Sequence, residues 1–372
     1  MSVVIHPHAP HAHTTSRDLA RNPMIIYWEM TQACALACRH CRAEAMLQKH
    51  PRELNYTESR ALLQQILAFG APLPHLILTG GDPLMRPDVY ELIDEAVSLG
   101  IEVSITPAAT QNLTRAVIEK LRSHKIQSLG LSLDGSDATR HEAARGVQGC
   151  FEWTMNALRV AGELEIPIQV NTLVAAETAD DLSAIYDLLL TQRVMRWSLF
   201  FLISVGRGKT LEAVSPERGE EIMRWSLAVA RRAPFAIKTT EAPSYRRVAL
   251  ETMRANGMPP EAIRRSSVYR GFGIRDGNGI VFVSNTGDIY PAGFLPVTVG
   301  NVREGDLVTT YRHAPLMRSL HDPNTFQGKC GYCEYRVICG GSRARAFTHT
   351  GDALESDPFC AYEPVRGREA YT

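Results

Sequence analysis

The sequence predicts an α/β fold in which parallel strands alternate with helices. From residue 24 to about residue 235, short apolar runs alternate with amphipathic stretches. Such a rhythm indicates parallel strands joined by right-handed crossovers. Six repeats fit a doubly wound sheet or a barrel, and in either fold the chemistry collects at the carboxyl ends of the strands. The strand candidates are 24–30, 75–79, 101–106, 127–133, 166–173 and 196–203.

Amphipathic periodicity predicts a helix after each strand. Thr57 and Ser215 are the expected N-caps, and Gly70 and Gly100 are the expected stops. Because helices are expected to cover both faces of the sheet, the strand residues should be apolar throughout rather than alternating. The predicted helices cover 57–69, 88–99, 113–123, 151–164, 179–191 and 216–232.

The rhythm breaks after about residue 235, which predicts a second, smaller domain. Residues 271–291 read as a β-hairpin with turns at Asp276–Gly277 and at 285–288. A segment with few regular elements follows it. The predicted organisation is a polar tail over 1–20 that contains four histidines, a core over 21–235, a bridging segment over 236–269 and a small domain over 270–372.

Composition excludes several classes of protein. The 372 residues are 45% apolar and 22% charged, and 40 acidic residues balance 40 basic ones. No overall field therefore favours nucleic acid or an anionic membrane as partner. No apolar stretch approaches the roughly 20 residues of a membrane span, and the N-terminus lacks a secretory signal. We therefore predict a cytoplasmic protein.

Three cysteines, Cys34, Cys38 and Cys41, follow the first predicted strand. Three thiolates can hold three corners of a [4Fe–4S] cluster and leave the fourth iron open to a substrate or cofactor. A zinc site completed by His40 or His50 is the alternative. Close spacing in a chain without an export signal favours metal over disulfides.

Four further cysteines form a second group near the C-terminus, and they can close a cluster completely or hold a structural zinc. The remaining one, Cys150, is predicted to be a buried structural thiol. The members of the second group are Cys330, Cys333, Cys339 and Cys360.

Glycines and polar residues follow the other predicted strands. The second strand ends in Gly80-Gly81-Asp82, in which two residues without a side chain allow close backbone approach and the carboxylate can accept hydrogen bonds from an amine. Polar residues at the later strand ends are poorly explained by core packing. They include Ser132, Asn171 and Arg207, with Arg145 downstream of the fourth strand.

Together, the CxxxCxxC motif, the Gly-Gly-Asp-Pro segment and the six-fold rhythm resemble the radical S-adenosylmethionine (SAM) enzymes. The resemblance implies a partial (β/α)6 TIM-like barrel. It also implies that the three N-terminal cysteines bind the cluster, with His40 at the usual aromatic position, and that SAM contacts the strand ends. The implied SAM contacts are Gly80, Gly81 and Asp82 for the amino group, Ser132, Arg145 and Asn171 for the carboxylate and ribose, and Val205 and Gly206 for the adenine.

The same resemblance implies the chemistry. SAM chelates the open iron, one electron cleaves it, and the 5′-deoxyadenosyl radical abstracts a hydrogen from a small-molecule substrate. An external one-electron donor such as flavodoxin or ferredoxin is expected as a partner.

The C-terminal region resembles the SPASM-type auxiliary-cluster domains of these enzymes. Ala292 and Arg343 stand where the two-cluster pattern has cysteines. The resemblance therefore implies one auxiliary [4Fe–4S] cluster, bound by the four C-terminal cysteines, with an electron-transfer role. Zinc remains the alternative.

Details of this region look most like the haem-biosynthesis branch, which includes the alternative haem synthase and the haem d1 enzymes. That resemblance implies oxidative decarboxylation of porphyrin propionates, for which cations are needed. The alternative is that the candidate cations lie at the surface or pair with Glu241. Glu241 and Tyr245 could instead form a proton relay. The candidate cations are Lys238, Arg246, Arg247 and Arg207.

Two other functions stay open from the sequence. One is a maturase of a ribosomally made peptide, which the short segment before the first strand disfavours because it leaves no room for a leader-binding module. The other is a non-catalytic metal-binding protein, which the open corner of a three-cysteine cluster disfavours.

Overall fold

A computed structural model describes residues 17–266 and 268–371. Its strands are β1 (Ile25–Glu29), β2 (His75–Thr79), β3 (Val103–Ile105), β4 (Ser128–Ser132), β5 (Ile168–Val174), β6 (Arg196–Phe201), β7 (Ala236–Thr240), β8 (Ile280–Val283), β9 (Asp288–Tyr290) and β10 (Gly300–Asn301). The four histidines of the predicted tail, His6, His8, His11 and His13, lie outside the described residues.

The α-helices alternate with the strands over the first two thirds of the chain and then cluster near the C-terminus. They are α1 (Tyr56–Leu67), α2 (Val89–Ser98), α3 (Arg115–Ser123), α4 (Ala138–Arg145), α5 (Cys150–Glu163), α6 (Leu182–Leu190), α7 (Pro216–Ala230), α8 (Ser244–Ala255), α9 (Pro260–Arg265), α10 (Leu307–His313), α11 (Pro315–His321), α12 (Gly328–Tyr332) and α13 (Arg343–Thr350).

One sheet organises the described chain. Strands β1 to β7 are parallel and lie side by side in chain order, whereas a doubly wound sheet would reverse its order at a switch point. On the other side of β1, β8 pairs in parallel, and β9 and β10 then add antiparallel. This confirms the predicted α/β class with a parallel-dominated sheet. The consecutive order is that of barrel winding.

The two faces of the sheet differ in burial. On β1, Ile26 and Trp28 are fully buried in the main hydrophobic core, whereas Tyr27 between them is only half-buried. Strand β2 alternates in the same way, with Leu76 and Leu78 buried. The expectation that both faces are covered is therefore wrong for β1 and β2, whose second face carries half-buried side chains. Strand β3 is buried along its whole length, as expected.

The ends of the helices follow local hydrogen bonding. The N-cap of α1 lies two residues before the expected one, because Asn55 rather than Thr57 accepts the hydrogen bond from the backbone N–H of Glu58, at 3.0 Å. The Glu58 carboxylate bonds back to the Asn55 N–H, which completes a capping box. Ser215 is confirmed as the N-cap of α7.

The region after residue 235 is more regular than predicted. Strand β7 pairs with β6, and α8 follows it, so one further strand–helix unit lies in the predicted bridging segment. The hairpin of β8 and β9 turns at 284–287, close to the predicted second turn. The predicted first turn is also present, because Arg275 and Asn278 exchange backbone hydrogen bonds across Asp276 and Gly277.

Within residues 17–266 and 268–371, none of the helices combines the length and the apolar character that a membrane span needs.

Candidate functional site

The cysteine loop after β1 is held against the glycine loop after β2. The N–H of Gly81 donates to the Thr31 carbonyl, and the N–H of Asp82 donates to the Ala33 carbonyl, both at 2.7 Å. A Cβ at Gly80 or Gly81 would lie only 2.4 Å from a carbonyl oxygen of this loop. Both positions therefore require glycine, because a side chain would push the two loops apart.

Hydrogen-bond donors surround the three thiols of this loop. The N–H of Leu36 lies 3.3 Å from Sγ of Cys34, and the N–H of Ala45 lies 3.4 Å from Sγ of Cys41. Sγ of Cys38 accepts from Nη1 of Arg145 at 3.5 Å. Such donors stabilise thiolate charge, so the residues present fit a cluster at this site.

The three cysteines open into one cavity with an empty volume of about 750 Å³. Several predicted SAM contacts line this space: Gly80, Gly81, Ser132 and Arg145. Thr79 and Thr106 also line it, and sequence reasoning missed both. The signal that could have identified them is their position, because each threonine lies at or just beyond the end of an apolar strand.

Asp82 lies behind this cavity, 4% exposed. Its Oδ1 accepts hydrogen bonds from the N–H groups of Leu84 at 3.1 Å and Ala108 at 3.3 Å. Burial raises the pKa of Asp82 to about 6, although these two donors oppose the shift. Its side chain therefore joins the loops after β2 and β3 in addition to any contact with a ligand.

A buried ion pair contacts the cysteine loop through Arg145. Nη2 of Arg145 lies 2.5 Å from Oδ2 of Asp134, whose Oδ1 accepts from the N–H of Leu173 at 2.7 Å. Burial alone would raise the pKa of Asp134, but Arg145, His40 and His141 outweigh it and lower the value. Burial lowers the pKa of both His40 and His141 to about 4, so both rings are neutral.

The loop after β6 closes the other side of the cysteine loop. A Cβ at Gly206 would lie 2.5 Å from the Cys41 carbonyl, which accepts the N–H of Arg207 at 3.0 Å. The guanidinium of Arg207 lines the cavity, and its Nε and Nη2 are buried without a hydrogen-bond partner. Val205 packs in a separate apolar cluster with Ile203.

The four C-terminal cysteines also line one cavity, of about 430 Å³ empty volume, beneath α8. Backbone N–H groups approach three of the sulfurs: Tyr335 to Cys333 at 3.3 Å, Gly341 to Cys339 at 3.4 Å and Asp357 to Cys330 at 3.5 Å. The same kind of donor set surrounds the N-terminal thiols. In the described chain, no three histidine, cysteine or acidic side chains are grouped so as to hold a single metal ion.

The two positions without the expected cysteines have other structural roles. Ala292 is buried and packs with Leu295. Arg343 is fully buried, and its Nη2 donates to Sγ of Cys330 at 3.4 Å. A cation thus contacts the second cysteine site from the position where the two-cluster pattern has a thiol.

Glu241 follows β7 in a left-handed conformation, with φ of 59°. It accepts a hydrogen bond from Oγ of Ser342 at 2.6 Å. Burial and the neighbouring Asp276 carboxyl raise the pKa of Glu241 well above its usual range. Tyr245 instead packs in the main hydrophobic core, and burial raises its pKa to about 12. Sequence reasoning placed Asp276 in a turn and missed its contact with Glu241, which is 35 positions away.

The two adjacent arginines of α8 differ in their partners. Arg247 forms ion pairs with Glu220 and, at 2.9 Å, with Glu251, so it is neither a surface charge nor a partner of Glu241. Burial lowers the pKa of Arg246 to about 10, and its Nη1 is buried without a hydrogen-bond partner. Arg246 therefore remains a candidate to bind an anion, whereas Arg247 is already neutralised.

Comparisons with known proteins identify the family of this chain. The radical SAM superfamily matches residues 28–189. An AdoMet-dependent heme synthase of Methanosarcina barkeri is 35% identical over 342 residues, 92% of this chain and 97% of that protein. A pre-heme d1 synthase of Dinoroseobacter shibae is 26% identical, over 94% of this chain and 89% of that protein. The structure of Streptococcus suis SuiB bound to S-adenosylmethionine has a TM-score of 0.70 at 18% identity, over 92% of this chain and 78% of SuiB.

The fold and the site define an enzyme with a consecutively wound parallel sheet and a cysteine loop at the carboxyl end of its first strand. The chain belongs to the radical SAM superfamily. Membership implies a [4Fe–4S] cluster and SAM as cofactors.

Proposed function

We propose that this enzyme oxidatively decarboxylates propionate side chains of an iron porphyrin in haem-type biosynthesis. The observation that carries the proposal is the 35% identity to an AdoMet-dependent heme synthase over nearly the full length of both proteins. Guanidinium nitrogens that are buried without hydrogen-bond partners support it. Arg207 has two unpartnered nitrogens and Arg246 has one, and such groups suit the carboxylates of a polyanionic substrate.

In this proposal Cys34, Cys38 and Cys41 bind the cluster that SAM contacts. The close approach at Gly80 and Gly81 places backbone at the edge of the cavity, where the amino group of SAM would bind. Ser132 and Arg145 line the same cavity. The family resemblance alone supports four further SAM contacts: Asp82, Asn171, Val205 and Gly206. When bound, the cluster and SAM supply a radical that abstracts hydrogen.

The four C-terminal cysteines would bind one auxiliary [4Fe–4S] cluster. Three backbone donors and the Arg343 guanidinium directed at their sulfurs support this assignment. Conversion of a propionate to a vinyl group and CO₂, after loss of one hydrogen atom, releases one electron. A fully ligated cluster suits acceptance of that electron, because it has no open iron. Flavodoxin or ferredoxin would supply the electron for SAM cleavage, and the cytoplasmic location stays a prediction.

The test is anaerobic incubation of the reconstituted enzyme with iron-coproporphyrin III, SAM and dithionite. We expect products lighter by units of formic acid, together with 5′-deoxyadenosine. Release of 5′-deoxyadenosine with an unchanged porphyrin would refute the proposed substrate and favour another, such as a peptide. Absence of 5′-deoxyadenosine would refute the proposed use of the cysteine loop.

A further inference from the structure

Four polar residues lie in one row across four parallel strands. In the register of the sheet, Ser132 of β4 pairs with Asn171 of β5, Asn171 pairs with Ser198 of β6, and Ser198 pairs with Lys238 of β7. Residues paired in this way point to the same face of a sheet. Ser132 lines the cavity of the three N-terminal thiols, so the row starts at that cavity and runs away from it.

The far end of the row lacks partners. Oγ of Ser198 is buried without a hydrogen bond. Lys238 is half-buried and has neither a hydrogen bond nor an ion pair in the part of the chain that the structure describes. A buried hydroxyl without a partner is costly, and a half-buried ammonium without a partner remains free to bind an anion. Asn171, in contrast, accepts a hydrogen bond from Nε2 of Gln169 at 2.8 Å.

The charged neighbour that acts on Lys238 is a cation rather than a carboxylate. This cation is Arg196 of β6. Burial, together with the charge of Arg196, lowers the pKa of Lys238 to about 7. Burial raises the pKa of Tyr27, which faces Arg196 and Glu241, to about 12. Burial likewise raises the pKa of Glu241. Burial therefore disfavours the anionic form of both groups, which leaves Arg196 and Lys238 as the cationic groups at this end of the row.

Lys238 lies well away from Ser132, the residue of the row that lines the thiol cavity. Three strand spacings of about 4.8 Å place Lys238 roughly 14 Å from Ser132 along the sheet. An anion at Lys238 would thus lie outside the cavity that the three thiols line. A large substrate that extends from the thiol cavity to β7 would reach it.

We propose that Ser198 and Lys238 form a binding site for one carboxylate of the substrate, with the ammonium as counter-charge and the hydroxyl as hydrogen-bond donor. The proposal rests on the proposed function, since it assigns one propionate of a porphyrin to the β6–β7 side of the sheet. It makes Lys238 a binding residue for a group that does not itself react at the cluster.

The test measures binding of iron-coproporphyrin III to the reconstituted enzyme by its absorbance change. We expect Lys238→Met to weaken binding about tenfold or more and Lys238→Arg to retain most of it. Lys125→Met, which removes an exposed lysine at the opposite end of the strands, is the matched control and should bind as the wild type does. The tetramethyl ester of the porphyrin should bind wild type and Lys238→Met equally.

Equal binding of the acid by wild type and a folded, cluster-loaded Lys238→Met would overturn the site while leaving the proposed function intact. If wild type binds no porphyrin, the proposed function fails, and a second measurement still tests the site. Propionate should then slow acetylation of Lys238, followed by mass spectrometry, without slowing that of Lys125. Equal rates with and without propionate would overturn the carboxylate site itself.

Discussion

Nη2 of Arg343 donates a hydrogen bond to Sγ of Cys330 at 3.4 Å. Nη1 of the same side chain donates to the carbonyls of Ala353 at 3.0 Å and Glu355 at 2.7 Å. The guanidinium also lies 4.6 Å from the ring centroid of Phe326. One buried cation therefore joins the start of α13 to the segment before Cys330 and to the segment between Cys339 and Cys360.

Replacement of Arg343 by leucine should lower the reduction potential of the proposed auxiliary cluster, because it removes a positive charge and a donor to sulfur. Two buried carbonyls also lose their donor, so the free energy of unfolding should fall by roughly 2–4 kcal/mol. A redox titration followed by electron paramagnetic resonance measures the first effect. Arg264→Leu, at an exposed position of α9, is the control. An unchanged potential would show that Arg343 does not act on the cluster.

Counting iron tests the second cysteine site. The reconstituted protein should contain about eight irons, and Cys360→Ser should reduce this to about four. Cys150→Ser should leave about eight, because this fully buried thiol packs beside the first site without belonging to either cysteine group. Iron and zinc are measured together by plasma mass spectrometry. One zinc per chain in the wild type and none in Cys360→Ser would show that the second cysteine site holds a structural zinc instead of a cluster.

The sequence predicted the first six strands and the main helices because their apolar periodicity is strong. Strand β7 was missed because its residues Ala236–Thr240 include a lysine and two threonines and are all half-buried, so the strand lacks an apolar run. Helix α4 was missed because only His141 and Ala144 of its residues are buried, which leaves little periodicity.

The sequence could propose those parts of the candidate site whose residues are close together in the chain. The cysteine spacings and the glycine pair are local motifs, and the structure brings both loops together. The pairing of Arg247 with Glu220 joins α8 to α7, and the contact of Glu241 with Asp276 joins the end of β7 to the turn before β8. Such tertiary contacts leave no periodic signal in the sequence.

Gly81→Ala should reduce the rate of SAM cleavage about a hundredfold. The new Cβ would lie 2.4 Å from the Ala33 carbonyl, so the cysteine loop must move by about 1 Å, which is enough to misplace a reacting group. The matched control is Gly305→Ala, where the nearest atom lies 3.8 Å from the added Cβ. Release of 5′-deoxyadenosine in dithionite measures the rate. Wild-type cleavage by Gly81→Ala would mean that the close approach has no role in the chemistry.

Asp82→Asn should stabilise the protein above pH 6 by about 3 kcal/mol, because it removes a buried charge whose folded-state pKa is raised from 3.8 to about 6. A raised acid pKa means that the folded state binds the proton more tightly, so the penalty is full above pH 6 and absent below about pH 4. The amide oxygen can keep both backbone hydrogen bonds. Urea unfolding at pH 5 and pH 8 measures the difference.

The matched control for Asp82→Asn is Asp187→Asn, which removes one exposed carboxylate on α6. An effect of Asp82→Asn that is equal at pH 5 and pH 8, or a loss of stability at pH 8, would contradict the account of this side chain.

The most direct measurement of the proposed function uses iron-coproporphyrin III deuterated in its propionate chains. In an anaerobic single turnover, the account predicts that deuterium moves into 5′-deoxyadenosine while the porphyrin loses formic acid. Unlabelled 5′-deoxyadenosine beside an unchanged, fully deuterated porphyrin would contradict it.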